Sequence, residues 1–98
     1  MAAIKNVLWW LLANSLGGLN RGRILAELLS TPRNANELSR DLSLDYKTTR
    51  YHLQVLEENG LITSAGSGYG KTYFPSPSLE ENIAYFKEIW DKIGKKAD

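Results

Sequence analysis

The stretch Leu42-Ser43-Leu44-Asp45-Tyr46-Lys47-Thr48-Thr49-Arg50-Tyr51-His52-Leu53-Gln54-Val55-Leu56-Glu57-Glu58-Asn59-Gly60-Leu61-Ile62 decides how this 98-residue chain folds. It opens on a three-residue break, Ser43-Leu44-Asp45, whose aspartate suits the cap that accepts from the first free amides of a helix. The helix it starts continues to Asn59-Gly60, where glycine supplies a left-handed terminating turn. On a wheel of 100° per residue, Thr49, Leu53, Leu56 and the edge of His52 share one side, which predicts a core-facing stripe. The opposite side collects Lys47, Arg50, Tyr51, Gln54 and Glu58. That is a row of hydrogen-bonding groups on a rod slim enough for a DNA major groove.

Working upstream, Asn20 is the expected cap of a helix that runs to about Ser30 with Ile24, Leu25, Leu28 and Leu29 on one face, and Thr31-Pro32 stops it. Asn34 caps a short helix, with Glu37 placed to complete a capping box and Ala35, Leu38 and Leu42 turned inward. A short helix, a tight turn and a longer helix make the helix-turn-helix plan. Downstream, Leu61–Ala65 and Lys71–Phe74 are rich in β-branched and aromatic residues and are joined by Gly66-Ser67-Gly68-Tyr69-Gly70, which predicts a hairpin with a glycine-rich tip. Pro75 and Pro77 close the second strand. Ser78 is the expected start of a final helix, with Glu81 in capping-box position and Leu79, Ile83, Phe86, Trp90 and Ile93 spaced as a heptad seam. Tyr85 and Ile89 widen that seam. Lys95-Lys96-Ala97-Asp98 is expected to fray.

The first segment, Met1 to Leu16, reads as a helix that is apolar around most of its circumference and therefore wants neighbours on more than one side. Its unbroken apolar run, Val7 to Ala13, is far short of the ~20 residues that cross a bilayer. Lys5 before that run has the look of a secretory signal, but the small-residue cleavage pattern is poor, so a membrane or secretory role is not expected.

Composition narrows the function. The length suits one domain, and a two-domain enzyme is excluded in practice. No cysteine is present, which removes disulfides, thiolate metal sites and cysteine nucleophiles, and His52 is the sole histidine. Serines and threonines lack acid–base company, so no catalytic residue is expected. The formal net charge is only +1, so nucleic-acid binding by bulk charge is also excluded. The charge is unevenly placed, however. Residues 1–56 hold seven cations against four carboxylates, and residues 57–98 hold five against seven.

Residues 20–76, with the His52-Leu53-x-Val55-Leu56-Glu57-x-x-Gly60-Leu61-Ile62 run leading into the hairpin, resemble the winged helix-turn-helix of ArsR-type bacterial and archaeal transcriptional regulators. The resemblance implies a mainly α fold with a small β-hairpin, as one domain: an N-terminal apolar helix (1–19), a DNA-binding core (20–76) and a C-terminal dimerisation helix (77–98). It implies a cytoplasmic, homodimeric regulator that binds double-stranded DNA, not an enzyme. Metal-sensing relatives carry cysteines where this chain has Glu37-Leu38-Ser39-Arg40-Asp41-Leu42. They also place histidine on the terminal helix, where Glu80, Glu81, Glu88 and Asp91 stand here without one. No metal or other cofactor is expected.

The residues expected at DNA are Tyr46, Lys47, Thr48, Arg50, Tyr51 and Gln54, with Tyr69 and Lys71 on the wing. Arg50 suits guanine and Gln54 suits adenine, while Lys47 and Thr48 at the helix start suit phosphate. Lys71 is the wing's only cation, so the wing is expected to contribute less than the helix. His52 reads first as a structural residue. Val7, Trp9, Trp10, Leu12, Ile83, Phe86, Trp90 and Ile93 are the expected dimer interface. A protein-interaction module without specific DNA binding, docked through its aromatic surfaces or tethered to a membrane through residues 4–16, is the alternative reading.

Overall fold

The computed structural model describes residues 3–97, with side chains through residue 94. Helix α2 (Gly18–Ser30) is the element on which the rest assembles. Ile24, Leu25 and Leu28 lie on its buried face and are at most 1% exposed, each stabilising the fold by roughly 1.5–3 kcal/mol through removal from water. Around it stand α1 (Ile4–Leu8), a two-residue strand β1 (Arg33–Asn34), α3 (Ala35–Leu42), α4 (Tyr46–Glu58), strands β2 (Ile62–Ala65) and β3 (Thr72–Pro75), α5 (Pro77–Glu81) and α6 (Ile83–Ala97). The sheet order is β1-β3-β2, antiparallel throughout, with Arg33 opposite Tyr73 and Ser64 opposite Tyr73 on its other side. A 3-10 turn at Gly68–Gly70 forms the tip of the β2–β3 hairpin.

The locally encoded signals are realised. Asn34 accepts from the Glu37 amide while Glu37 accepts from the Asn34 amide, the full capping box of α3. Asp45 accepts from the Thr48 amide at 3.1 Å and starts α4. Between them Ser43 takes the left-handed conformation (φ 55°), so the chain reverses within three residues. The backbone past α4 turns at Gly60 (φ 76°).

Three boundaries differ from the sequence reading, each for a physical reason. The first helix does not reach Leu16: α1 passes into a π-helical turn, Trp9–Ala13, and ends at Asn14, whose amide bonds to the Trp9 carbonyl. The wider turn puts Leu11 and Leu12 inside and leaves Trp9 and Trp10 outside. Helix α2 then starts at Gly18 rather than after Asn20, with Gly17 (φ 85°) as its cap. A β-carbon on Gly18 would lie 2.0 Å from the Leu12 carbonyl oxygen, so only glycine lets α2 begin so close to the end of the first helix. The terminal segment is two helices, not one. Ser76 rather than Ser78 is the cap, accepting from the Leu79 amide at 3.1 Å and donating to the Gly60 carbonyl at 2.7 Å, and Asn82 separates α5 from α6. Helix α6 continues through Ala97, where fraying was expected, and Asp98 lies outside the described residues.

Leu12 and Phe86, expected at a dimer interface, sit in the chain's own core at 3% and 2% exposure. Phe86 stacks on Trp90, with ring centroids 6.3 Å apart. Trp90 in turn covers Gly22, where a β-carbon would come within 2.3 Å of the indole. Val7, Ile83, Trp90 and Ile93 are half-buried, while Trp9 and Trp10 are 47% and 57% exposed.

Candidate nucleic-acid interface

Helix α4 fixes the site because its two faces have opposite fates. Thr49, His52, Leu53 and Leu56 are buried, and Thr49 secures the first turn by donating to the Asp45 carbonyl at 2.9 Å. Lys47, Thr48, Arg50, Tyr51 and Gln54 are exposed on the other face. Thr49 near its start and Leu53 and Leu56 farther along hold the rod against the core, so the outward groups keep a fixed spacing.

Tyr46 has a different place from its expected one. Its ring is half-buried against the core, and its hydroxyl accepts from Arg50 Nη1 at 3.1 Å while the guanidinium carbon lies 5.9 Å from the ring centre. The Tyr46 hydroxyl bond raises the Arg50 pKa further above its ordinary value. Tyr46 thus orients Arg50 along the helix, leaving the rest of its planar donor fork free for an acceptor edge.

Between α4 and β3 lies a groove of about 400 Å³ lined by Lys47, Arg50, Tyr51, Gln54, Glu57, Lys71 and Tyr73. Two of these, Glu57 and Tyr73, were not among the expected site residues. Glu57 accepts from Ser64 Oγ at 2.6 Å and stands 3.8 Å from Lys71 Nζ, so the hairpin's cation is held back against α4. The signal was available in principle, since Glu57 follows Gln54 by three residues and Arg50 by seven. Tyr69, by contrast, projects from the hairpin tip at 81% exposure.

His52 faces inward. It is 5% exposed, and its Nδ1 accepts from Arg21 Nε at 3.3 Å. Burial lowers the imidazole pKa, and the Arg21 charge lowers it further. Arg21 is itself buried, 6% exposed, and donates through Nη1 to the Leu11 carbonyl and to Ser15 Oγ. Its place at the head of Ile24, Leu25 and Leu28, three and four residues apart, was the signal that it lies on the core face of α2. A second hollow, about 610 Å³, opens beside it and is lined by Leu16, Gly17, Arg21, Lys47, Thr48, Tyr51 and His52.

Among the described residues no cluster of three or more histidine or acidic side chains is arranged to hold a metal, and no helix is long and apolar enough to cross a membrane.

Residues 20–64 match the family described as bacterial regulatory protein, arsR family. No curated relative matches the chain in sequence. Reduced HlyU from Vibrio cholerae N16961 is 26% identical, with a TM-score of 0.67, over 88% of this chain and 85% of that one. M. tuberculosis Rv0081 is 23% identical, with a TM-score of 0.68, over 96% and 92%. A solved ArsR family transcriptional regulator is 17% identical, with a TM-score of 0.56, over 93% and 95%. At the last two identities the likeness is one of fold. The matched family is by its description one of regulatory proteins. Residues 20–64 therefore match the bacterial regulatory protein, arsR family, and lie in a winged helix-turn-helix fold that HlyU and Rv0081 share over most of the chain.

Proposed function

We propose that the chain is a homodimeric, sequence-specific regulator that binds double-stranded DNA with α4 in the major groove and the β2–β3 wing beside it. The observation that carries this reading is the exposed row Lys47, Arg50, Tyr51 and Gln54 on a helix whose other face is locked in the core. Arg50 would read guanine and Gln54 adenine, while Lys47 and Thr48 meet phosphate. The wing contributes Tyr69 at its tip, and Lys71 contributes little because Glu57 holds it.

Dimerisation would use Trp9 and Trp10 with the half-buried Val7, Ile83, Trp90 and Ile93. Two large apolar groups left in water in the N-terminal segment, Trp9 and Trp10, favour that surface. A two-fold axis through it would present two α4 helices to half-sites about 10 base pairs apart. The experiment is selection of bound duplexes from a random pool with purified protein, read beside the mass in solution. The expected product is a two-fold symmetric consensus bound by a dimer. Recovery of no enriched sequence, with no retarded complex at low salt, would overturn the reading and favour a protein-docking role.

A further inference from the structure

The hollow lined by Arg21, His52 and Lys47 shares Lys47, Thr48 and Tyr51 with the proposed DNA face, but that reading gives Arg21 and His52 no part. Burying a guanidinium is costly unless it is paired and hydrogen-bonded. Arg21 is 6% exposed, yet its described partners are all neutral: His52 Nδ1, the Leu11 carbonyl and Ser15 Oγ. Among the described residues no ion pair reaches it. The carbonyl end of the first helix offers only partial compensation. Nε and Nη1 are bonded, which leaves Nη2 without an acceptor among the described residues, and Arg21 lines the hollow.

His52 lines the same hollow. Because His52 Nδ1 accepts from Arg21, the proton of the neutral ring sits on Nε2, next to the Cε1 edge that meets Gly17. Lys47 stands at the mouth and lines both this hollow and the groove. Asp45, the nearest carboxylate along the chain, is engaged by the Thr48 amide and hydroxyl at the cap of α4. Tyr51 and the fully exposed Leu16 give the hollow an apolar wall. The volume falls in the range of small-ligand sites.

We infer that this hollow is a receptor for a single oxyanion, phosphoryl or carboxylate, which takes Arg21 and His52 Nε2 at its base and Lys47 at its mouth. Two sources carry that group: a small organic anion with an apolar tail, or a backbone phosphodiester of a duplex lying along α4. Because Lys47 and Tyr51 border both spaces, an occupant of the first kind would alter the groove-reading surface.

The test is titration of the full chain, without DNA, with inorganic phosphate, dimethyl phosphate and hexanoate, following the Arg21 Nε–H, the His52 ring and the Gly17 amide by NMR. Leaving DNA out keeps failure of this inference separate from failure of the regulatory reading. Saturable shifts confined to those groups are expected. Leu16→Glu, at a fully exposed position where folding is not at stake, should weaken binding at least about threefold by placing a like charge at the mouth. Lys47→Gln should weaken it about as much. Preference for hexanoate identifies a free organic anion, and preference for dimethyl phosphate identifies the duplex backbone; either outcome supports the site. Absence of saturable shifts with all three anions, or affinities unchanged by both substitutions, overturns it.

Discussion

Arg21 on α2 donates through Nε to Nδ1 of His52 on α4, across 3.3 Å and thirty-one residues of sequence. The same guanidinium reaches back to the Leu11 carbonyl at the end of the first helix. One buried cation therefore ties together the N-terminal segment, the central helix and the helix that carries the exposed row of Lys47, Arg50, Tyr51 and Gln54.

Removing that tie should cost more than a surface change. Arg21→Met leaves His52 Nδ1 and Ser15 Oγ without the donor that Arg21 supplies in a buried setting, while the Leu11 carbonyl keeps Ser15 Oγ, and we expect a loss of about 2–4 kcal/mol. Arg21→Lys should not restore it, since a point charge cannot serve Nε and Nη1 acceptors together. Urea unfolding measures both variants. A loss below about 0.5 kcal/mol for Arg21→Met, in the range of ordinary surface substitutions, would show that the network contributes nothing.

Stability should also depend on His52. Its folded pKa lies below the ordinary imidazole value, through burial first and the Arg21 charge second. The unfolded chain therefore binds the proton more readily. The contribution is full above the unfolded pKa, falls as pH drops below it toward the depressed folded pKa, and is gone below both. Denaturation midpoints measured from about pH 7.5 to about pH 5 should decline, and His52→Gln should flatten that part of the curve. Parallel curves for the two proteins would refute the assignment.

Gly22 is packed by Trp90 rather than exposed. In an open helix Gly→Ala adds about 1 kcal/mol of stability through propensity, but here the new β-carbon would stand 2.3 Å from the indole. Overpacking of that kind costs about 1–3 kcal/mol. Gly22→Ala should therefore lower the melting temperature and shift tryptophan emission as Trp90 is displaced. A raised melting temperature would mean that the ring moves aside without loss.

On the regulatory reading, Arg50→Ala should cost about 1–3 kcal/mol of DNA affinity and relax the preference at one base step. Tyr46→Phe should give a smaller loss in the same direction, because the hydroxyl at 3.1 Å orients the guanidinium. Competition gel shifts against single-base variants of the selected site decide it. Equal loss on every variant would place Arg50 on phosphate instead.

Glu57 makes the opposite prediction. Glu57→Gln keeps an acceptor for Ser64 Oγ but removes the charge that stands 3.8 Å from Lys71. The freed ammonium should then tighten duplex binding several-fold and steepen its salt dependence by close to one counter-ion. An unchanged salt slope would mean that Lys71 does not approach phosphate.

Much of this molecule was legible in the chain itself. The caps at Asn34 and Asp45, the stop at Thr31-Pro32 and the inward stripe of α4 are interactions within a few residues, which sequence encodes directly. Where the reading missed, distant residues had intervened. The π-helical turn, the start of α2 at Gly18 and the cap at Ser76 depend on close contacts with Leu12 or with Gly60. Leu12 and Phe86 were assigned to a partner surface because neither a helix apolar on most sides nor a heptad seam says which neighbour fills it.

The sequence by itself determined the helix-turn-helix with its wing, and which side of α4 turns outward, because periodicity and capping act over one or two turns of chain. Only the tertiary structure decided that Arg21 is buried against His52, that Glu57 restrains Lys71, and that Lys47 stands between two hollows. The physical reason is range: a charge acquires its role from whatever the fold places within a few ångströms, and those neighbours are far away along the chain.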